Sequence, residues 1–150
     1  MKWIGLFILL FSIASCTTYS ERDLASFDNQ IKEYLDSTGL EMERTEDGLY
    51  YTIVEEGEGE EFIGYKDQVT FYYKGSFLTG NSFQVISKND PLSFKVSQLI
   101  IGWQDALMML KKGGSIHIII PPQLGYADQS SSIIPANTIL EYELTVLDVH

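Results

Sequence analysis

The chain has 150 residues, enough for one domain and a small addition, and 45% of them are hydrophobic. Nine tyrosines and eight phenylalanines are typical of a protein with a folded core. The formal net charge is −11, and so acidic a chain repels the phosphates of nucleic acids. We therefore expect no nucleic-acid partner, although the acidity itself identifies no other one.

The N-terminus predicts export. Lys2 precedes an apolar run over residues 3–13, which is too short to span a membrane and has the length of a signal-peptide core. The run ends at Ala14-Ser15-Cys16, which resembles a bacterial lipobox, in which the cysteine is acylated and becomes the mature N-terminus. An ordinary signal peptide with an incidental cysteine is the alternative. Because Cys16 is the only cysteine and stands where a lipobox requires one, we expect residues 1–15 to be a lipoprotein signal peptide.

An acylated cysteine attaches a protein to a membrane surface without spanning the membrane. The expected location is thus the cell envelope, with the lipid anchor in the outer membrane and the protein facing the periplasm. With no second cysteine the exported chain has no internal disulfide, so its stability must come from its core.

The next segment, residues 16–47, is expected to hold a tether and an N-terminal helix. Apolar residues recur at helical spacing over Leu24–Leu35, with polar residues between them. Ser20 or Asp23 can cap the start of this helix, and Ser37-Thr38-Gly39 can end it. A coiled-coil dimer is the alternative, but one short apolar stripe does not sustain the heptads that it needs.

From Gly48 the hydrophobic period changes to two, which predicts strands. The predicted strands are Leu49–Val54, Val69–Leu78, Leu92–Val96, Ser115–Ile120 and Thr138–Val149.

A short helix over Gln104–Leu110 is predicted between the third and fourth of these strands, with Leu107 and Leu110 on the same face as Trp103. Gly102 is expected to let the backbone turn tightly into this helix. A long loop, Pro121–Pro135, precedes the last strand. The whole pattern predicts an α+β fold, an antiparallel β-sheet wrapped around a short central helix and preceded by an N-terminal helix.

The sequence lacks the common catalytic patterns. Only His117 and His150 are available for a triad, and a single cysteine without a histidine pair makes no zinc site. The acidic run Glu55–Glu61 fits no calcium-loop spacing and is expected to be a solvated turn. We therefore expect no metal and no cofactor, and an apolar, aromatic pocket remains as the candidate site.

Five segments, in order, resemble the FKBP-type peptidyl-prolyl cis-trans isomerases. The first to stand out, Gln98–Trp103, is similar to the V-I-x-G-W element of that family. The other four segments are Tyr73-Lys74-Gly75 (Y-x-G), Gly80–Phe83 (G-x-x-F), Pro121–Tyr126 (P-x-x-x-x-Y) and Ile133–Asn137 with the aromatic strand that follows it. The resemblance covers residues 48 to 149, and we expect residues 48–150 to form the isomerase domain.

This resemblance implies a function and a set of site residues. The substrates would be proline-containing polypeptides, the proline ring would lie on Trp103, and macrolide inhibitors would be possible ligands. The Ile100 backbone N–H would hold the substrate chain, and the Tyr126 hydroxyl would contact a carbonyl. The walls of the pocket would be Tyr73, Phe83, Leu99, Ile100, Ile134 and Tyr142.

The chain departs from the family at two positions of the pocket. Gln84 stands where the family has an aspartate, and Leu92 stands where it has an aromatic residue. Two functions therefore stay open: a prolyl isomerase that helps exported proteins to fold, and an isomerase-like binding module with little activity. A purely structural lipoprotein is a third alternative, but a structural role does not require a coherent set of pocket aromatics.

Overall fold

The computed structural model describes residues 19–150, so the predicted signal peptide and Cys16 lie outside the described residues. In this part of the chain, no helix is both long enough and apolar enough to cross a membrane. The helices and strands are α1 (Glu21–Thr38), β1 (Glu43–Arg44), β2 (Tyr50–Glu55), β3 (Gln68–Phe77), β4 (Ser82–Ile86), β5 (Leu92–Lys95), α2 (Ile101–Met108), β6 (Ser115–Ile120) and β7 (Leu140–Val149).

All the strands pair antiparallel in one seven-stranded sheet, in the order β1-β2-β6-β7-β3-β4. The long strand β3 pairs with β7 along one edge. Along its other edge it pairs first with β5, over residues 68–71, and then with β4, over residues 73–76. This sheet confirms the predicted α+β architecture.

Helix α2 packs against one face of the sheet and supplies the centre of the core. Trp103, Ala106, Leu107 and Leu110 are all buried there, as the predicted shared face requires. They pack with residues of β3, β6 and β7 in one continuous apolar cluster. The predicted short central helix is confirmed, but it runs from Ile101 to Met108 rather than from Gln104 to Leu110, so Leu110 lies just beyond its end.

Gly102 has a different role from the one expected. It lies inside α2 rather than at a turn before it, and its φ is not positive. A β-carbon at Gly102 would lie 2.7 Å from Cγ2 and 3.0 Å from Cδ1 of Ile120 on β6. The glycine is therefore needed because α2 approaches the sheet closely at this point, not because the backbone turns.

Helix α1 covers the opposite face of the sheet. Along β6, Ile118 packs in the cluster of Trp103, whereas its neighbour Ile119 packs with Ile31 of α1. Successive side chains of a strand point to opposite faces, so the two helices lie on the two sides of the sheet. Ser20 caps the start of α1 and Gly39 ends it, which confirms both predicted caps.

Hydrogen bonds at Tyr34 and at Asp28 hold α1 on the sheet. The Tyr34 hydroxyl donates a hydrogen bond of 3.0 Å to Glu141 on β7, and His117 Nε2 on β6 lies 2.7 Å from the other oxygen of Glu141. Asp28 accepts a hydrogen bond of 2.7 Å from Arg44 Nε on β1. The N-terminal helix is thus bound to the domain by charge and by apolar burial.

Replacing Gly102 by alanine tests why the glycine is there. In an ordinary helix this change stabilises the protein by about 0.5–1 kcal/mol, because alanine is the better helix former. Here the new methyl group would collide with Ile120, and we expect the free energy of unfolding to fall by about 1–3 kcal/mol. Urea denaturation measures the sign directly, and a stabilised Gly102→Ala protein would contradict the close approach of helix and sheet.

Candidate functional site

The register of three strands brings the aromatic rings together beside α2. Gly75 on β3 pairs with Tyr142 on β7 on one side and with Gln84 on β4 on the other. A β-carbon at Gly75 would lie 2.7 Å from Cζ of Phe83 and 2.9 Å from Cε1 of Tyr142. The absence of a side chain at this position lets the two rings come together over the sheet.

Trp103 forms the floor of the site. Its ring centroid lies 4.9 Å from that of Tyr73, 5.1 Å from that of Tyr142 and 5.1 Å from that of Phe71. All three contacts are edge-on, with interplanar angles of 60–85°. This is the geometry that aromatic quadrupoles favour. Only 4% of the Trp103 surface is exposed, so the indole is held rigidly beneath the opening.

Above the indole lies an open cavity of about 340 Å³. Its lining consists of uncharged side chains, most of them apolar or aromatic: Phe71, Tyr73, Leu92, Phe94, Gln98, Leu99, Ile100, Trp103, Tyr126 and Tyr142. Ligand pockets of small molecules are usually concave and mostly apolar, with a few polar groups that fix orientation. This cavity has that character.

The phenols of Tyr73 and Tyr142 remain neutral at physiological pH. Burial raises the pKa of Tyr73, and the nearby Tyr126 raises it further. Burial raises the pKa of Tyr142 more strongly, with smaller contributions from Tyr126 and Tyr73. Taking a phenolate out of water is costly, so neither hydroxyl ionises near neutrality. These two hydroxyls are therefore neutral hydrogen-bonding groups at that pH.

Two polar groups at the rim are free to bind a ligand. The Ile100 carbonyl accepts hydrogen bonds from Trp103 and Gln104, whereas its N–H has no acceptor among residues 19–150. Tyr126 is 44% exposed and lines the same cavity. A backbone donor and a hydroxyl at the edge of an apolar cavity can bind an extended peptide.

The structure brings most of the predicted site residues to this cavity, but three lie beside it. Phe83 packs on Tyr142 with a centroid distance of 5.8 Å. Gln84 is exposed, and its Oε1 accepts a hydrogen bond of 2.8 Å from the Tyr73 hydroxyl. Ile134 is half-buried and packs against the main core cluster.

Sequence reasoning missed three residues that line the cavity: Phe71, Phe94 and Gln98. Phe71 precedes Tyr73 by two positions on β3, and Phe94 follows Leu92 by two on β5. Residues two apart on a strand share a face, so the period of the strands could have identified both phenylalanines. Phe94 also supplies an aromatic wall on the strand where Leu92 stands in place of the expected aromatic residue.

Residues 59–147 match the family model of the FKBP-type peptidyl-prolyl cis-trans isomerases. That match covers more than half of the chain, and the chain belongs to this family. The family assignment agrees with the helix-and-sheet fold and with the aromatic pocket on Trp103.

Two relatives carry the name FkpA, an FKBP-type peptidyl-prolyl cis-trans isomerase. The chain is 38% identical to FkpA of Buchnera aphidicola subsp. Schizaphis graminum over 120 residues, which are 79% of this chain and 47% of the relative. It is 34% identical to FkpA of Escherichia coli over 139 residues, which are 91% of this chain and 51% of the relative. The chain thus spans about half the length of these relatives.

Solved structures agree with the fold. The crystal structure of FkpA from Escherichia coli superposes with a TM-score of 0.73 at 36% identity, covering 86% of this chain and 62% of that one. A peptidyl-prolyl cis-trans isomerase from Pseudomonas syringae superposes with a TM-score of 0.68 over 83% of this chain and 94% of that one. Its identity is 21%, so this second likeness concerns the fold alone.

Truncating Trp103 to alanine tests its burial among three rings. Removing a buried tryptophan leaves a cavity, and we expect the free energy of unfolding to fall by about 3–5 kcal/mol. Phe94→Ala is the matched control, since Phe94 lines the same cavity but is 43% exposed, and it should cost much less. Equal losses in urea denaturation of the two variants would show that Trp103 is not the buried floor.

Proposed function

We propose that the chain is a peptidyl-prolyl cis-trans isomerase that assists the folding of exported proteins, with residues 48–150 as its catalytic domain. The observation that supports this most strongly is the uncharged cavity on Trp103, with the free Ile100 N–H and the Tyr126 hydroxyl at its rim. The family model at residues 59–147 lies within the proposed domain.

The proposed reaction suits a cavity that is lined by uncharged side chains. Rotation about a peptide bond has a barrier of about 18–20 kcal/mol, because twisting breaks the C–N resonance. For X–Pro bonds the free energies of the cis and trans isomers differ by only about 0.5–1 kcal/mol. The reaction is therefore nearly balanced, and its slowness comes from the rotational barrier. Water stabilises the planar, charge-separated amide, and transfer into an aromatic cavity removes part of that stabilisation.

In this proposal the floor and the rim of the cavity bind different parts of the substrate. The proline ring rests on the Trp103 indole, the Ile100 N–H binds the substrate chain, and the Tyr126 hydroxyl contacts a substrate carbonyl. The proposed walls are Tyr73, Phe83, Leu99, Ile100, Ile134 and Tyr142. The macrolide ligands that are typical of the family would occupy the same cavity.

A protease-coupled assay with proline tetrapeptides tests the activity. We expect the wild-type protein to accelerate cis–trans isomerisation, and Tyr126→Phe to lower kcat/KM because the carbonyl loses a hydrogen bond worth about 0.5–1.5 kcal/mol. The control is Tyr65→Phe, which removes the same hydroxyl from an exposed tyrosine outside the cavity. Equal rates for both variants would remove Tyr126 from the site, and an inactive wild-type protein would contradict the proposed enzyme.

A second candidate function is a binding module for proline-containing polypeptides with little isomerase activity. Gln84 favours this candidate, because the family has an aspartate there. The hydrogen bond from Tyr73 reaches Gln84 Oε1, so the contact itself survives without the negative charge. Since Gln84 is exposed, a carboxylate at this position would be screened by water, and its effect on the pocket would be limited.

The variants Gln84→Asp and Gln84→Asn separate charge from side-chain length. If the missing carboxylate weakens the enzyme, Gln84→Asp should raise kcat/KM by up to about tenfold, or about 1.4 kcal/mol, while Gln84→Asn should not. The gain should be lost as the pH falls through the pKa of the new carboxyl. The wild-type rate should stay level from about pH 5 to pH 9, because the phenols of Tyr73 and Tyr142 do not ionise there. No activity in any of the three proteins would support the binding module.

We further propose that Cys16 is acylated after removal of residues 1–15, and that the protein is held at the outer membrane facing the periplasm. The support is the sequence Ala14-Ser15-Cys16 after an apolar run of signal-peptide length. In this proposal residues 16–47 comprise the tether and the N-terminal helix.

Metabolic labelling with a lipid precursor tests the anchor. Cys16→Ser should lose the label and leave the protein unprocessed or soluble, because no thiol remains to be acylated. Ser15→Ala, which keeps a small residue before the cysteine, is the control and should still be labelled. Lipid on the Cys16→Ser protein would contradict the lipobox.

A further inference from the structure

The first described residue lies against the loop that borders the site. The Tyr19 hydroxyl is 2.6 Å from Oδ1 of Asn137, and its ring packs edge-on against Phe27 of α1 at 5.2 Å. Asn137 N–H in turn donates a hydrogen bond of 2.8 Å to the carbonyl of Ala127, which closes the base of the loop. The chain therefore enters the domain at the loop that carries Tyr126 and Ile134.

The proposed anchor is very close to this contact. Tyr19 follows Cys16 by only three positions, and three residues span at most about 10 Å even when fully extended. A lipid on Cys16 would therefore keep this side of the protein within about 10 Å of the membrane surface. We call Tyr19 together with residues 126–137 the tether face.

Most of the tether face carries no charged side chain. Residues 129–140 contain no acidic or basic side chain, in a chain with a formal net charge of −11. At the tip, Ser131 Oγ accepts hydrogen bonds from the backbone N–H groups of Ile133 and Ile134. This turn presents Ile133 outward, and its side chain is 54% exposed.

Two acidic side chains lie near Tyr19: Asp128, within the tether face, and Asp23 of α1. Burial raises the pKa of the Tyr19 hydroxyl, and the nearby carboxylates of Asp128 and Asp23 raise it further. A membrane rich in anionic lipid would repel these carboxylates, whereas zwitterionic headgroups would not.

We propose that the tether face lies against the zwitterionic lipid surface to which Cys16 is attached, an inference that rests on the proposed acylation. The acyl chains supply the affinity, and the short tether with its mostly uncharged loop supplies the orientation. Because Tyr126 belongs to both the loop and the cavity, the cavity opens beside the membrane. In this orientation, the substrates that reach the cavity are proline-containing segments of polypeptides that lie at the lipid surface.

The opposite end of the sheet provides a reference position for measuring the orientation of the protein on the membrane. Strand β7 begins after the tether face and runs for ten residues, or about 30 Å, to Val149. Glu60 lies in the acidic turn that packs beside Val149. A probe at Glu60 therefore reports the end of the protein that is far from the proposed membrane contact.

Site-directed spin labelling of the acylated full-length chain on phosphatidylcholine vesicles tests the orientation. Cys16 is the only cysteine, and acylation blocks its thiol, so Ser132→Cys and Glu60→Cys each add the single reactive thiol. We expect the accessibility of the label at 132 to a water-soluble nickel chelate to fall severalfold on vesicles, while the label at 60 stays unchanged. Inserting a flexible Gly-Ser linker between Thr18 and Tyr19 should abolish the difference.

The outcomes separate the orientation from the anchor. Acylated protein with equal nickel accessibility at both labels would overturn the orientation and leave the lipid anchor standing. A persistent difference in the linker variant would overturn the role of the short tether. Mass spectrometry that shows no acyl group on Cys16 would overturn the anchor and the orientation together, while leaving the isomerase untouched.

Discussion

The packing of the Trp103 indole against Phe71, Tyr73 and Tyr142 is the interaction on which the site depends. It requires α2 to lie very close to the sheet, and the missing side chain at Gly102 permits that approach. Once the indole is held there, the rings around it close a cavity that has an apolar floor and an open mouth. Core packing and the proposed catalysis therefore use the same residues, because the floor of the cavity is also the centre of the core.

Much of the fold was predictable because the sequence carries its signals locally. The helical spacing over Leu24–Leu35 and the caps at Ser20 and Gly39 predicted α1, and the alternation of apolar residues predicted five of the strands. Strand β4 was missed because it is an edge strand in which three of five residues are exposed, so its alternation is weak. Strand β1 was missed because two residues are too few to show a period. Helix α2 was predicted to begin late because Ile100 caps it without a side-chain hydrogen bond, which leaves no capping signal.

The candidate site was predictable only in part, because it depends on contacts between distant segments. Family resemblance indicated Trp103, Tyr126 and Tyr142, but it did not reveal that Gln84 lies exposed beside the cavity and accepts a hydrogen bond from Tyr73. The role of Gly102 depends on Ile120, a contact that no local pattern contains. The contact of Tyr19 with Asn137 joins residues 118 positions apart, and it was likewise outside the reach of periodicity.

The most direct test of the account is an NMR titration of the isotope-labelled protein with a proline tetrapeptide. If the substrate binds on Trp103, the Trp103 indole N–H and the Ile100 amide should shift most, while exchange between the cis and trans signals of the peptide accelerates. Tyr72 and Thr145 on the outer face of the sheet, which line a different groove, should not shift. Shifts confined to that outer groove, or peptide exchange that stays at its uncatalysed rate, would contradict a prolyl isomerase site on Trp103.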